Sequence, residues 1–176
     1  MNYLSAENIS KTYNDRWLFK EINLGISQGE KMAFVGNNGV GKSTLLKILT
    51  GEVTSDSGKV VIRDGIKLGY LTQQPNVDEN LLVKDILFSE SNEIAKAVKE
   101  YEDCLHHPDV PEARMQAALE KMSDLNAWDY DNKVQEVIGK LGVPDMDKRF
   151  GDLSGGQKKR IFLAQLLLQE PDLIIM

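Results

Sequence analysis

Gly36-Asn37-Asn38-Gly39-Val40-Gly41-Lys42-Ser43-Thr44 follows a short apolar run, Lys31–Val35, and opens a segment of helical character from about Lys42 to Thr50. Strand, glycine-rich loop and helix in that order, with GxxxxGK[ST] spacing, make a cradle for a phosphate chain. Glycine lets the backbone turn tightly, so successive N–H groups converge on one anion. The helix adds the positive end of its dipole. Lys42 is spaced to reach the terminal phosphates, and the Ser43 hydroxyl to ligate Mg²⁺. Gly36, Asn37, Asn38, Gly39, Val40, Gly41, Lys42, Ser43 and Thr44 are therefore the candidate nucleotide-binding residues. The expected ligand is a nucleoside triphosphate with magnesium. The competing reading, a glycine turn with no ligand, does not explain the lysine, the hydroxyl and the helix together.

Outward from the loop, the chain looks like one compact domain with a small appendage: 176 residues, 41% of them hydrophobic. A net charge of −6 argues against a domain that grips nucleic acid by bulk electrostatics. Cys104 is the sole cysteine, so no internal disulfide forms, which fits a reducing compartment. No charged-then-apolar leader opens the sequence. The strongest apolar stretch, Ile161–Leu168, is too short to span a bilayer. These features point to a cytoplasmic protein with no direct membrane association.

Partial alternation predicts strands over Tyr3–Ile9 and Leu18–Ile26. Lys31–Val35 is expected as a further strand, ending at the loop. Lys59–Ile62 and Lys67–Leu71 read as two more, around a turn at Asp64-Gly65. From Val83 to Leu141 the pattern is helical. A last helix runs from Ser154 to about Gln169, and a last strand from Leu173 to Met176. Strands, then a helical block, then a helix feeding a strand indicate an α/β domain with a helical insert.

Leu153-Ser154-Gly155-Gly156-Gln157 stands at the start of that last helix. Taken alone it is an N-cap with a glycine-rich lead-in, and also a second anion cradle. It does not stand alone. LSGGQ resembles the signature of ABC-type ATPases, and the chain follows that family's order. Val35–Thr44 looks like the Walker A loop, Gln73 after Gly69-Tyr70-Leu71-Thr72 like the Q-loop glutamine, and Pro171–Met176 like the strand leading into Walker B.

The resemblance implies a P-loop ABC ATPase fold: a mixed sheet with an antiparallel β subdomain, plus a helical insert. It implies ATP and Mg²⁺ as cofactors and ATP hydrolysis as the activity. Tyr13 would stack on adenine, and Gln73 would help to hold Mg²⁺ and the attacking water. ABC domains pair head to tail, so Ser154, Gly155, Gly156 and Gln157 would touch ATP held by a partner domain. That partner would be a second ABC domain in tandem, or a second copy. The expected organisation is an ATP-binding core over 1–82, a helical subdomain over 83–150 and the signature helix with the Walker B strand over 151–176.

Between Gln73 and Leu153 there is more sequence than a plain transporter ATPase subunit needs. Ile94, Val98, Tyr101 and Leu105 make one helical face and Met115, Leu119 and Met122 another, broken by His106–Pro111. This hairpin, about 89–128, looks like the arm of ABC-F proteins, tandem-domain ATPases that act at the ribosome. The nearest likeness is to the N-terminal domain of Uup-type members. The alternative is the ATP-binding subunit of a membrane transporter. Acidic residues outnumber basic ones along the arm, which is unlike an element that holds RNA by charge. His106-His107 reads as a solvated helix end and Cys104 as a packing residue. The sequence reaches EPDLIIM and stops before the aspartate, catalytic glutamate and switch histidine the family places next. The expectation is a fold incomplete at its C-terminus that binds ATP without turning it over.

Overall fold

The computed structural model describes residues 1–72, 77–88, 92–107 and 109–176. They form two compact units: Met1–Thr72 with Pro171–Met176, and Gln73–Glu170.

In the first unit, β1 (Asn2–Tyr13) and β2 (Arg16–Ser27) form an antiparallel hairpin, and β3 (Ser57–Ile62) pairs with the other edge of β1. Asn14 and Asp15 close the hairpin, both in the left-handed region at φ 48° and 58°. A two-residue turn with two positive φ values matches the twist of the flanking strands, and Asn and Asp tolerate it best after glycine. Leu4 and Ala6 point into the core, and the register then shifts before Ile9, which is buried where strict alternation would have placed Asn8. Asn8 takes up the shift at φ 53°. Its N–H donates to Asn23 Oδ1 at 2.9 Å, and Asn23 Nδ2 returns a bond to Asn8 Oδ1 at 3.1 Å.

α1 (Lys42–Leu49) lays Leu45, Ile48 and Leu49 against Leu4, Ala6 and Ile9. A second, parallel pair joins β4 (Leu68–Tyr70) to β5 (Leu173–Ile175), with Leu68 opposite Leu173 and Tyr70 opposite Ile175. Asp172 locks the start of this pair: its carboxylate accepts from the Lys67 N–H, and its own N–H donates to the Lys67 carbonyl, both at 2.8 Å.

Lys31–Val35 departs from expectation. It joins neither sheet as a ladder strand, and Val35 is 96% exposed; only Phe34 is half-buried against the core. An apolar run counts as a strand only where it makes ladder hydrogen bonds with a neighbour, and among the described residues Lys31–Val35 makes none.

The second unit is helical. α2 (Val83–Leu87), α3 (Glu93–His106), α4 (Glu112–Asp124), α5 (Tyr130–Leu141) and α6 (Gly155–Leu167) surround a core that includes Leu87, Ala97, Met122, Tyr130 and Ile161. α3 and α4 pack together, broken between His106 and Glu112 as the sequence suggested. The buried face of α3 is Ile94, Ala97 and Cys104; Leu105 is 57% exposed. Val98 and Tyr101 pack against the same core, so the expected face holds over Ile94, Val98 and Tyr101 and departs at Leu105. Asn92 caps α3, accepting from the N–H groups of Ile94 and Ala95 at 3.1 Å, and donates to the Tyr130 hydroxyl at 2.9 Å. No helix among the described residues is long and apolar enough to cross a membrane.

Candidate functional site

The phosphate loop is built around Lys42. Its ammonium donates to the carbonyls of Gly36 and Asn37, both at 2.8 Å, so the lysine closes its own loop into a ring of backbone. Gly41 stands at φ 99° as the N-cap of α1, with no side chain filling the helix end. A Cβ at Gly41 would lie 3.0 Å from the Phe19 ring and 3.3 Å from Leu18 Cβ. The loop therefore rests on β2, and Phe19 is its floor. At the start of α1 the N–H groups of Lys42, Ser43 and Thr44 have no carbonyl four residues earlier within the helix to bond. Ser43 is exposed beside them and Thr44 half-buried. A positive helix end, a lysine and a hydroxyl on one turn form a donor set suited to a phosphate chain.

Tyr13 ends β1 opposite Arg16 and is 66% exposed, its ring free to meet a flat ligand. The residues before it are held firmly. Lys11 Nζ bonds Asp56 Oδ1 at 2.7 Å, and Thr12 donates to Asp56 Oδ2 twice, from its N–H at 2.7 Å and its hydroxyl at 2.5 Å. These bonds, Lys11's foremost, hold the Asp56 carboxyl down at about 2. Gln73 lies outside the described residues.

The LSGGQ segment forms in the second unit as a reciprocal cap. The Ser154 hydroxyl accepts from the Gln157 N–H at 3.3 Å, and Gln157 Oε1 accepts from the Ser154 N–H at 2.9 Å. Gly155 and Gly156 are exposed, with open space where side chains would stand. The cradle thus faces outward through backbone, while the Gln157 side chain turns back on its own helix. Of the basic residues beyond it, Lys158 reaches Glu79 Oε1 at 3.1 Å, and Arg160 donates to the carbonyls of Leu141 at 3.2 Å and Gly142 at 2.8 Å.

The structure adds Phe19 and Asp56, which the sequence motifs do not include. The signal for Phe19 was weak: an aromatic in a strand looks like core. Asp56 sits in the bend just before β3, where a carboxylate ahead of Ser57-Gly58 reads as an ordinary turn residue.

A family model described as ABC transporter matches residues 19–176. The chain belongs to the ABC transporter family. Among its relatives is YfmR of Bacillus subtilis, called an uncharacterized ABC transporter ATP-binding protein. It is 36% identical over 182 residues, covering 100% of this chain and 29% of YfmR. The tylosin resistance ATP-binding protein TlrC of Streptomyces fradiae is 32% identical, covering 98% of this chain and 34% of its own. The energy-dependent translational throttle protein EttA of Haemophilus influenzae is 30% identical, covering 92% and 30%. This ABC domain therefore spans about a third of the length of the curated relatives it matches. The fold agrees with that of a nucleotide-free ATP-binding cassette from an ABC transporter: TM-score 0.65 at 22% identity, covering 100% of this chain and 68% of that one. The chain thus has the ABC ATPase fold of mixed α and β content.

Proposed function

We propose that this ABC domain binds ATP with Mg²⁺ through Gly36–Thr44, as part of an ABC-F-type ATPase that works with a second ABC domain at the ribosome. The observation that carries the nucleotide reading is the Lys42 ring. An ammonium held 2.8 Å from two loop carbonyls, at the mouth of a helix end, stands where it can exchange those carbonyls for phosphate oxygens. Tyr13 would stack on the base. Among the described residues no group of three or more His, Cys, Asp or Glu could hold a metal. The Ser43 hydroxyl and the phosphates themselves would then supply ligands for Mg²⁺, a cation that is commonly held through substrate phosphates, with Gln73 as the further candidate. The outward backbone cradle of Ser154–Gly156 suits ATP on a partner domain. Hydrolysis is proposed for the whole protein, in the cytoplasm.

The ABC-F branch draws support from the likeness to EttA and from the α3–α4 pair that precedes the signature. The second reading, a transporter's ATP-binding subunit, draws on the family model and on YfmR's name.

Equilibrium binding of a fluorescent ATP analogue tests the first claim. Magnesium-dependent binding that Lys42→Ala abolishes while the far-ultraviolet dichroism is kept is the expected result. Equal binding by Lys42→Ala would refute it. Co-sedimentation of the longer protein separates the branches: recovery with ribosomes supports ABC-F, and recovery with membranes alone supports the transporter.

A further inference from the structure

The chain's charge is unevenly placed. From Glu93 to Asp129 there are nine carboxylates against Lys96, Lys99, Arg114 and Lys121, a net −5 of the chain's −6. Lys121 already faces Glu100 at 3.9 Å.

The same segment exposes large apolar side chains. Trp128 is 54% exposed and Leu105 57%. Tyr101, one helical turn before Leu105 on α3, meets Trp128 edge to face, with ring centroids 5.3 Å apart at 78°. Trp128 follows Asn126, which sits in the left-handed region at φ 48°, and Ala127, which is buried. The indole meets the Tyr101 ring on one side while about half of it meets water. A single exposed apolar residue is ordinary on a protein surface. A tryptophan against Tyr101, with exposed Leu105 one turn further along α3 and exposed carboxylates at Glu102, Asp124 and Asp129 in the same segments, has the make-up of an anchor with a charged rim.

We propose that the Tyr101–Leu105–Trp128 surface docks a cationic amphipathic segment of a protein. Its apolar side chains would cover Trp128 and Leu105, and its lysines and arginines would face the surrounding carboxylates. A nucleic-acid backbone is disfavoured here, because each phosphate contact needs a cation and this surface supplies carboxylates. The proposal does not depend on nucleotide binding by the other unit.

The test uses the whole chain carrying Trp17→Phe, so that Trp128 alone reports. Three probes are titrated: an 18-residue Leu/Lys amphipathic peptide, its Leu/Glu counterpart, and a 20-nucleotide RNA stem-loop. The Leu/Lys peptide should shift Trp128 emission to the blue and bind at least tenfold more tightly than either other probe, more weakly as salt rises. Leu105→Lys and Glu102→Lys, both at exposed positions, should each weaken binding about fivefold or more. Glu52→Lys, the same charge change in the other unit, should leave it unaltered. RNA binding as tightly as the Leu/Lys peptide would overturn the proposal. So would equal weakening by Glu52→Lys, which would mean attraction to net charge alone, or indifference to Leu105→Lys and Glu102→Lys.

Discussion

Thr12 and Asp56 are joined twice: the backbone N–H and the hydroxyl of Thr12 both donate to Asp56 Oδ2, at 2.7 and 2.5 Å. With Lys11 on the other oxygen, the carboxylate clasps the two residues ahead of Tyr13. Its folded pKa of about 2 lies below the unfolded value of 3.8, so the charged form is favoured by folding. The stabilisation is therefore present above pH 3.8 and lost as pH falls through about 2. In urea unfolding, the gap between wild type and Asp56→Asn should be widest above pH 4 and close towards pH 2; a constant gap would count against the clasp. Asp56→Asn should also weaken ATP more than tripolyphosphate, which has no base to stack.

Gly58 and Gly155 should respond oppositely to alanine. At Gly58, φ is +84° and a Cβ would sit 2.4 Å from the carbonyl oxygens of Glu7 and Asn8, where β3 closes on the β1 bulge. Gly58→Ala should cost about 3 kcal/mol or more of stability. Gly155→Ala meets open space in the first turn of α6 and should be neutral or stabilise by up to about 1 kcal/mol. If ATP on a partner domain needs close approach there, the same substitution weakens ATP-dependent association. Chemical denaturation and analytical ultracentrifugation give the two readouts.

Asn92 is 1% exposed and binds the Tyr130 hydroxyl while capping α3. Tyr130→Phe leaves its amide short of a partner and should cost about 1–2 kcal/mol. Asn92→Ala loses the cap as well and should cost more. Burial, above all, pushes the Tyr130 phenol up to about 12. Because this pKa is raised on folding, the neutral phenol's contribution is fully present below pH 10.0. Above that the unfolded chain ionises first, and stability falls as pH rises through about 12. Absorbance titration should show one tyrosine ionising late and Tyr130→Phe removing that step.

Phe19→Ala removes the floor of the phosphate loop. Stability should fall by about 2–3 kcal/mol for a half-buried ring. ATP affinity should fall with it, whereas Lys42→Ala should lose affinity alone. Calorimetric unfolding beside nucleotide titration separates the two; unchanged affinity in Phe19→Ala would show that the loop holds its shape unaided.

The glycine-rich loop ahead of α1 was legible because its pattern is local: glycine, lysine and hydroxyl at fixed spacing need no distant partner to be recognised. The Ser154 cap was legible for the same reason, and so were β4 and the helix break at His106–Glu112. What escaped notice depends on neighbours. Asn8's bulge breaks the alternation, and only the pairing with β2 and β3 shows why Ile9 rather than Asn8 is buried. Lys31–Val35 has a strand's composition without a ladder partner among the described residues. Leu105 fits a helical stripe but faces water, because the face of α3 that packs inward carries Ala97 and Cys104 instead. The Gln157 side chain caps its own helix through a 2.9 Å contact that no spacing rule reveals.

The contact between Gly41 and Phe19 also bears on how the chain can vary. Surface turns ordinarily absorb insertions and deletions freely. The Asn14-Asp15 turn sets Thr12 opposite Trp17, and a register shift after Thr12 brings Phe19 opposite Lys11. One extra residue in the turn or in that irregular step, if not absorbed there, slides the ring away from the loop it supports. In this molecule the spacing of a solvent-exposed hairpin tip is tied to the shape of a loop elsewhere, so the tip is constrained in length as well as in the residues its positive φ values admit.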